Sequence, residues 1–211
     1  MDKLSTVLQF RIALQDISPI IWRRIVVPEK CSFWDFHVAI QDSMGWLDYH
    51  LHEFTVTKPG SEIATIGIPD DDRDDMTTVP GWEIGLSKYF KRPGDRAFYL
   101  YDFGDSWGHE VLLEGVLLRK KDMEYPVCVA GERACPPEDC QGTFGYERLL
   151  RILGDAAHEE HNDMIDWLKG HAINYYPYDP EYFDPDDVRF DDPNERWKKA
   201  FSDNDDFIAN P

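Results

Sequence analysis

The sequence predicts an α+β protein: a mixed or mostly antiparallel sheet with helices packed on it, plus a C-terminal helical segment. Three observations carry that prediction. Strand-like segments come first and helix-like segments last, which disfavours a doubly wound parallel sheet. One strand is apolar on both faces, as expected in the interior of a sheet. A Gly-Asp-Ser turn joins two aromatic strands, the signature of a hairpin.

In chain order, TVLQFRIAL alternates, placing Leu8, Phe10, Ile12 and Leu14 on one face of a strand. After a turn at Pro19, PIIWRRIVVP supplies the doubly apolar strand, with Arg23 and Arg24 on opposite faces. CSFWDFHVAIQDSMGW predicts a helix capped by Ser32 with Asp35 three residues on, stopped at Gly45 and buried along Phe33, Phe36, Ile40 and Met44. YHLHEFTV is a strand, and a loop runs from about Lys58 to Pro80. That loop contains PDDDRDD, five carboxylates around one arginine, without the glycine and distal glutamate of an EF-hand. GWEIGLSKYF predicts a short helix. YLYDFGDSWGHEVLLE is the hairpin, EYPVCVAG a short strand, and RACPPEDCQGTFGY a rigid loop. Helices are expected over GYERLLRILG, from Asp155 to Gly170, and in DDPNERWKKAF. The expected organisation is one α+β domain over 1–170, with an acidic C-terminal extension over 171–211 packed on it or partly mobile.

Of the 211 residues 42% are hydrophobic and 14% aromatic, enough for a core. A formal charge of −19 repels phosphate backbones and disfavours nonspecific nucleic-acid binding. Local basic patches are confined to SKYFKRPGDR and LLRKK. No apolar run has the length of a signal peptide or a membrane span, so no membrane association is expected and the chain is read as cytoplasmic. The cysteines are then expected to be reduced thiols or metal ligands.

Two motif matches fail on context. GDSWG has the spacing of a hydrolase nucleophile elbow, but a strand pattern follows Ser106 where a helix is required. DFG at Asp102–Gly104 lacks the other parts of a kinase.

The hairpin nevertheless carries ionisable groups in strands bound for a core. His109 shares the apolar face with Trp107, Val111 and Leu113, and a buried charge demands a partner. Asp102 or Asp105 is expected to pair with Arg23 or Arg24, because a guanidinium fork fits a carboxylate. Asp102, Asp105 and His109 are the candidate catalytic groups. His50 and His52, two residues apart on a strand, form with His109 or Asp105 a candidate set for a divalent metal such as zinc. Cys128, Cys135 and Cys140 are weaker metal candidates because they lack paired Cys-x-x-Cys spacing. Trp22, Trp46, Tyr101 and Trp107, with Arg23 and Arg24, are candidates to line a binding groove; the alternative for the aromatics is plain core.

The stretches PIIWRRIVVP, FHVAIQDSMGWLDYHLHEF, YLYDFGDSWGHEVLLE, YPVCVAGERACPPEDCQGTFGYE and HEEHNDMIDWL, in that order, resemble the plasmid pRiA4b ORF-3-like family, also described as insertion-sequence passenger proteins of a TnpR-like type. The resemblance implies an α+β fold and association with mobile elements, and it implies no established activity. The chain departs from the family pattern at Gln141, where a glycine is usual, and in HAINYYPY, which reads as an insertion. No basic helix-turn-helix accompanies the recombinase-like label, so resolvase chemistry does not transfer. The leading functional expectation is a non-catalytic binding or accessory module for a protein or peptide. The alternative is a metal-dependent hydrolase with Asp102 as base and an arginine stabilising developing charge. A third reading, nucleic-acid binding through a local patch, requires steep salt dependence.

Overall fold

The computed structural model describes residues 5–57, 62–69 and 78–201. The carboxylates of PDDDRDD and the end of the acidic tail lie outside the described residues. The strands are β1 (Thr6–Leu14), β2 (Trp22–Pro28), β3 (His52–Thr57), β4 (Ile63–Gly67), β5 (Val79–Pro80), β6 (Arg96–Tyr101), β7 (Trp107–Leu118) and β8 (Val127–Glu132). They form one eight-stranded sheet in the order β5-β4-β3-β6-β7-β1-β2-β8. All pairings are antiparallel except the short β4–β5 contact, so the sheet is mixed and the fold α+β.

Helix α1 (Phe33–Met44) lies on one face of this sheet, and its local signals are those the sequence carries. Ser32 and Asp35 form a reciprocal capping box, and Gly45 takes the left-handed conformation that ends the helix. The Phe36 ring lies 4.5 Å from that of Phe10 on β1 and 5.8 Å from that of Phe54 on β3, so one helix spans the middle strands. Leu8, Phe10, Ile12 and Leu14 are all buried beneath it.

The opposite face is polar and partly open. There Trp22 lies between the guanidinium groups of Arg11 and Arg24, at 5.3 and 5.1 Å from its ring. Arg24 also makes a forked pair with Glu114 at 2.6 and 3.0 Å.

Helices α2 (Gly142–Leu153) and α3 (His161–Gly170) pack on each other, and the start of α2 meets the β6–β7 turn. The expected helix from Asp155 begins later, at His161. Asp155 Oδ1 accepts the Ala157 amide and His158 Nδ1 the Glu160 amide, local bonds that favour turns over helix. GWEIGLSKYF forms two 3-10 turns rather than one helix, Gly81–Glu83 and Leu86–Lys88, separated by extended residues Ile84 and Gly85.

The chain after α3 runs back over the core. Residues Pro180 to Asp187 pass beside β8, where Phe183 packs on Gly131 so closely that any Cβ there would meet its ring. Helix α4 (Pro193–Phe201) then docks on α1: Trp34 Nε1 donates to Pro193 O at 2.9 Å, and Arg196 reaches Asp42, Asp48 and Asp191 at 2.6, 3.3 and 2.7 Å.

Candidate functional site

Polar chemistry concentrates at the end of the sheet where β6 turns into β7. Three loops meet there: residues 46–51, the turn 102–106, and residues 133–141. Of seven non-glycine residues with positive φ among the described residues, six lie on these loops: Asp48, Asp102, Ser106, Arg133, Asp139 and Gln141. Such backbone costs on the order of 1 kcal/mol or more per residue and persists only where surrounding bonds over-determine it.

Those bonds are identifiable. Asp102 turns its own loop by accepting the Gly104 amide on Oδ1 at 2.8 Å. Glu138, buried, accepts the Leu47 amide at 2.7 Å and takes a short hydrogen bond from the Tyr101 hydroxyl. Trp46 Nε1 donates to Pro136 O at 2.9 Å. Burial, above all, raises the Glu138 carboxyl above the ordinary glutamate range. Asp105 Oδ2 accepts the Gln141 amide at 3.0 Å and so caps α2 from another loop. Desolvation raises its carboxyl as well, and the charges of Asp102 and Asp139 add to that.

Within this frame His50 Nε2 lies 2.9 Å from Asp139 Oδ1 and 3.6 Å from Asp102 Oδ2. Among the described residues, His50, Asp102 and Asp139 are the group of metal-ligating side chains that converges, with ligand atoms all within 4.8 Å of one another. His171, just past α3, places Nε2 3.7 Å from the other oxygen of Asp139.

The set expected from sequence is therefore dispersed. His50 and His52 do not share a strand face, because β3 begins only at His52. His52 is buried with its ring stacked on that of His37 at 3.4 Å, and burial holds its pKa well below the usual histidine value. His109 is fully buried, edge-on to Trp46.

The expected pairing of Asp102 or Asp105 with Arg23 or Arg24 also gives way. Arg24 finds Glu114, directly across the sheet on the open face. Arg23 is buried and satisfied by carbonyls: Nε donates to Ser43 O at 2.8 Å, and Nη1 to Trp22 O at 2.9 Å and Glu132 O at 3.1 Å. Its guanidinium lies 3.7 Å from the Phe183 ring centroid. Trp46, Tyr101 and Trp107 line no groove; they stack in the core with ring centroids 5.0 and 5.9 Å apart, while Trp22 is on the other side of the sheet. Cys128, Cys135 and Cys140 are buried free thiols, and desolvation raises the pKa of each. They form no ligand cluster among the described residues.

The sequence reading missed Glu138, Asp139 and His171. Asp139 sits inside PPEDC, a stretch that stood out for its cysteines, and nothing in a linear pattern signals that a left-handed turn aims it at His50.

His109 supports a pH prediction. Its Nδ1 faces Tyr99 O at 3.3 Å, its Nε2 has no partner among the described residues, and burial lowers its pKa to about 4. The unfolded chain takes up this proton near pH 6.5 and the folded chain only near 4, so the stabilising contribution is whole above 6.5 and is lost as pH falls toward 4. In that window the slope approaches about 1.4 kcal/mol per pH unit. Urea titrations at a series of pH values are expected to show wild type losing stability faster than H109Q between pH 6.5 and 4.5; parallel curves would remove His109 as the cause.

Beside the converging cluster, a groove of about 240 Å³ runs between α2 and α3. Leu149, Met164 and Trp167 make its apolar side, and Asp139, Glu160 and Asp163 its acidic rim. Arg148, ion-paired with Glu160, also lines it, and Phe144, next to the lining residue Gly145, is 85% exposed.

Among the described residues no helix is long and apolar enough to cross a membrane. The protein-family model of plasmid pRiA4b ORF-3-like proteins matches residues 6–187. The chain is 32% identical over 165 residues to the uncharacterized protein y4hQ of Sinorhizobium fredii (strain NGR234), covering 78% of this chain and 81% of that one. It is similar, with a TM-score of 0.78 and 43% identity, to the crystal structure of a protein of unknown function, MM3350 from Methanosarcina mazei Go1, covering 89% of this chain and all of that one. With the match running through all eight strands, the three loops of the polar corner and the α2–α3 pair, the chain belongs to the plasmid pRiA4b ORF-3-like family.

Proposed function

We propose that the protein is a non-catalytic binding module that docks a basic, amphipathic peptide segment of a partner protein in the groove between α2 and α3. The groove's apolar side of Leu149, Met164 and Trp167, with the exposed Phe144 next to the lining residue Gly145, carries this reading. An apolar cleft rimmed by polar residues is the kind of surface that takes a partner's anchor side chain, and Phe144 extends its apolar area on α2. The acidic rim and the −19 charge of the chain select a cationic partner and speed its approach. The plasmid-borne namesake of the family supports an accessory role alongside mobile elements.

A synthetic helical peptide of leucine and lysine, with a leucine–glutamate counterpart as control, tests the proposal by fluorescence anisotropy. The lysine peptide is expected to bind, more weakly as salt rises, and the glutamate peptide not at all. F144A and D163K are each expected to weaken binding roughly tenfold, the size of one lost anchor contact. Binding that both variants leave unchanged is nonspecific attraction to an acidic surface, and it would overturn the assignment of the groove.

A further inference from the structure

We propose that His50, Asp102 and Asp139 bind one first-row divalent cation of the zinc class, at the Asp139 end of the α2–α3 groove.

The geometry carries this. With metal–ligand bonds of about 2.1 Å, two ligand atoms stand about 3.0 Å apart at a right angle and about 3.4 Å apart at a tetrahedral angle. The observed separations from His50 Nε2, 2.9 Å to Asp139 and 3.6 Å to Asp102, bracket those values. The carboxylates are arranged asymmetrically in the way a ligand pair requires. Asp102 commits Oδ1 to the Gly104 amide and turns Oδ2 to His50. Asp139 turns Oδ1 to His50 and Oδ2 to His171. Each acid thus has one oxygen facing the shared point, and Asp102 has its other oxygen held by the Gly104 amide.

His171 is a second, independent pointer. Its side chain is nine-tenths buried, its Nδ1 has no partner among the described residues, and its Nε2 stops 3.7 Å short of Asp139, beyond hydrogen-bond distance. A buried imidazole left without a hydrogen bond is costly. With Nδ1 unpaired, the neutral ring carries its proton on Nε2, so a small inward movement of Asp139 onto a cation lets Oδ2 accept from Nε2 and fixes the carboxylate's orientation. His171 is therefore a positioning residue rather than a ligand. It opens the segment that reads as an insertion relative to the family pattern.

One imidazole with two carboxylates selects zinc, manganese, iron or cobalt over calcium and magnesium, which favour all-oxygen shells. The Asp139 side chain is 53% exposed and that of His50 31%, so the remaining coordination positions face solvent and are open to an external ligand. The cation site stands whether or not the groove takes a peptide.

Tag-free full-length protein, stripped with a chelator, would be titrated with zinc by calorimetry and with cobalt by visible absorption. The expected result is one ion per chain, with cobalt bands of a nitrogen–oxygen site and no sulfur charge transfer. H50A, D102N and D139N are expected to abolish or weaken binding at least tenfold, with thermal melts confirming that each variant is folded; asparagine tolerates the left-handed backbone at both acid positions. H171Q is expected to weaken binding roughly tenfold while keeping the stoichiometry, as loss of an orienting partner does. Absence of stoichiometric binding by wild type would overturn the proposal. Binding that survives intact in H50A and D139N, or cobalt spectra dominated by thiolate, would overturn it equally by placing the ion elsewhere.

Discussion

Trp46→Ala is expected to lower the unfolding free energy by about 4 kcal/mol, the range for removing a buried tryptophan. The side chain is 4% exposed and lies against Tyr101, Trp107 and His109, with ring centroids at 5.0, 5.9 and 5.4 Å. Its loss leaves a cavity that those rigid rings cannot fill by relaxing. The Pro136 carbonyl also loses its donor. For a chain of this size the midpoint of thermal unfolding should fall by about 10 °C. Differential scanning calorimetry separates this from W46F, which keeps most of the ring and costs little beyond the hydrogen bond, about 1 kcal/mol. Equal losses in the two variants would show that the bond to Pro136, rather than the packing, holds the loop down. Because the next residue, Leu47, donates to Glu138, the alanine variant should also loosen the loop that presents Asp139.

Arg23→Met is the second large effect, and it weighs two opposed terms. Burying a guanidinium without a carboxylate is costly, and that burial lowers its pKa from the ordinary arginine value. Against this stand three hydrogen bonds to carbonyls and the face of Phe183. Methionine removes the cost of the charge but leaves Ser43 O, Trp22 O and Glu132 O without their donor, each worth about 1–3 kcal/mol if nothing replaces it. The carbonyls win, and a net loss of about 3 kcal/mol is expected in urea unfolding with an unchanged m-value. Lysine at this position should not rescue stability, since a compact ammonium cannot span bonds that the planar fork makes on different strands and on α1. A loss under about 1 kcal/mol for the methionine variant would mean that the buried charge costs as much as its bonds return.

Arg23 also shows where the sequence was legible and where it was not. That an arginine sits on each face of β2 follows from period-two alternation alone, and burial of one of them follows from the apolar residues around it. Which partner it takes does not follow. The nearest carboxylates in the pattern belonged to the hairpin, but the chain places the carbonyl ends of α1 and β8 closer. Helix α1 was readable in full because its start, stripe and stop are local signals. The His50, Asp102 and Asp139 cluster was readable only in part. Its three members come from separate loops, and two of them are aimed by left-handed backbone that non-glycine residues do not advertise. Chemistry alone marks His50 and Asp102, but not their partners: His-x-His spacing does not put His50 and His52 on one strand face when β3 begins only at His52, and Arg23 and Arg24 take carbonyls and Glu114 rather than Asp102.

The flanks of the sheet bear on how the molecule behaves in a crowd. One outermost strand is only two residues long and ends in Pro80, which has no amide hydrogen to offer. The other, β8, runs beside the Pro180–Asp187 segment, with Phe183 pressed onto it. A stray β-segment from a half-made neighbour therefore finds too short a template on one side and an occupied berth on the other. The Pro180–Asp187 segment thus leaves little free template for runaway ladder growth on that flank, whatever the protein binds.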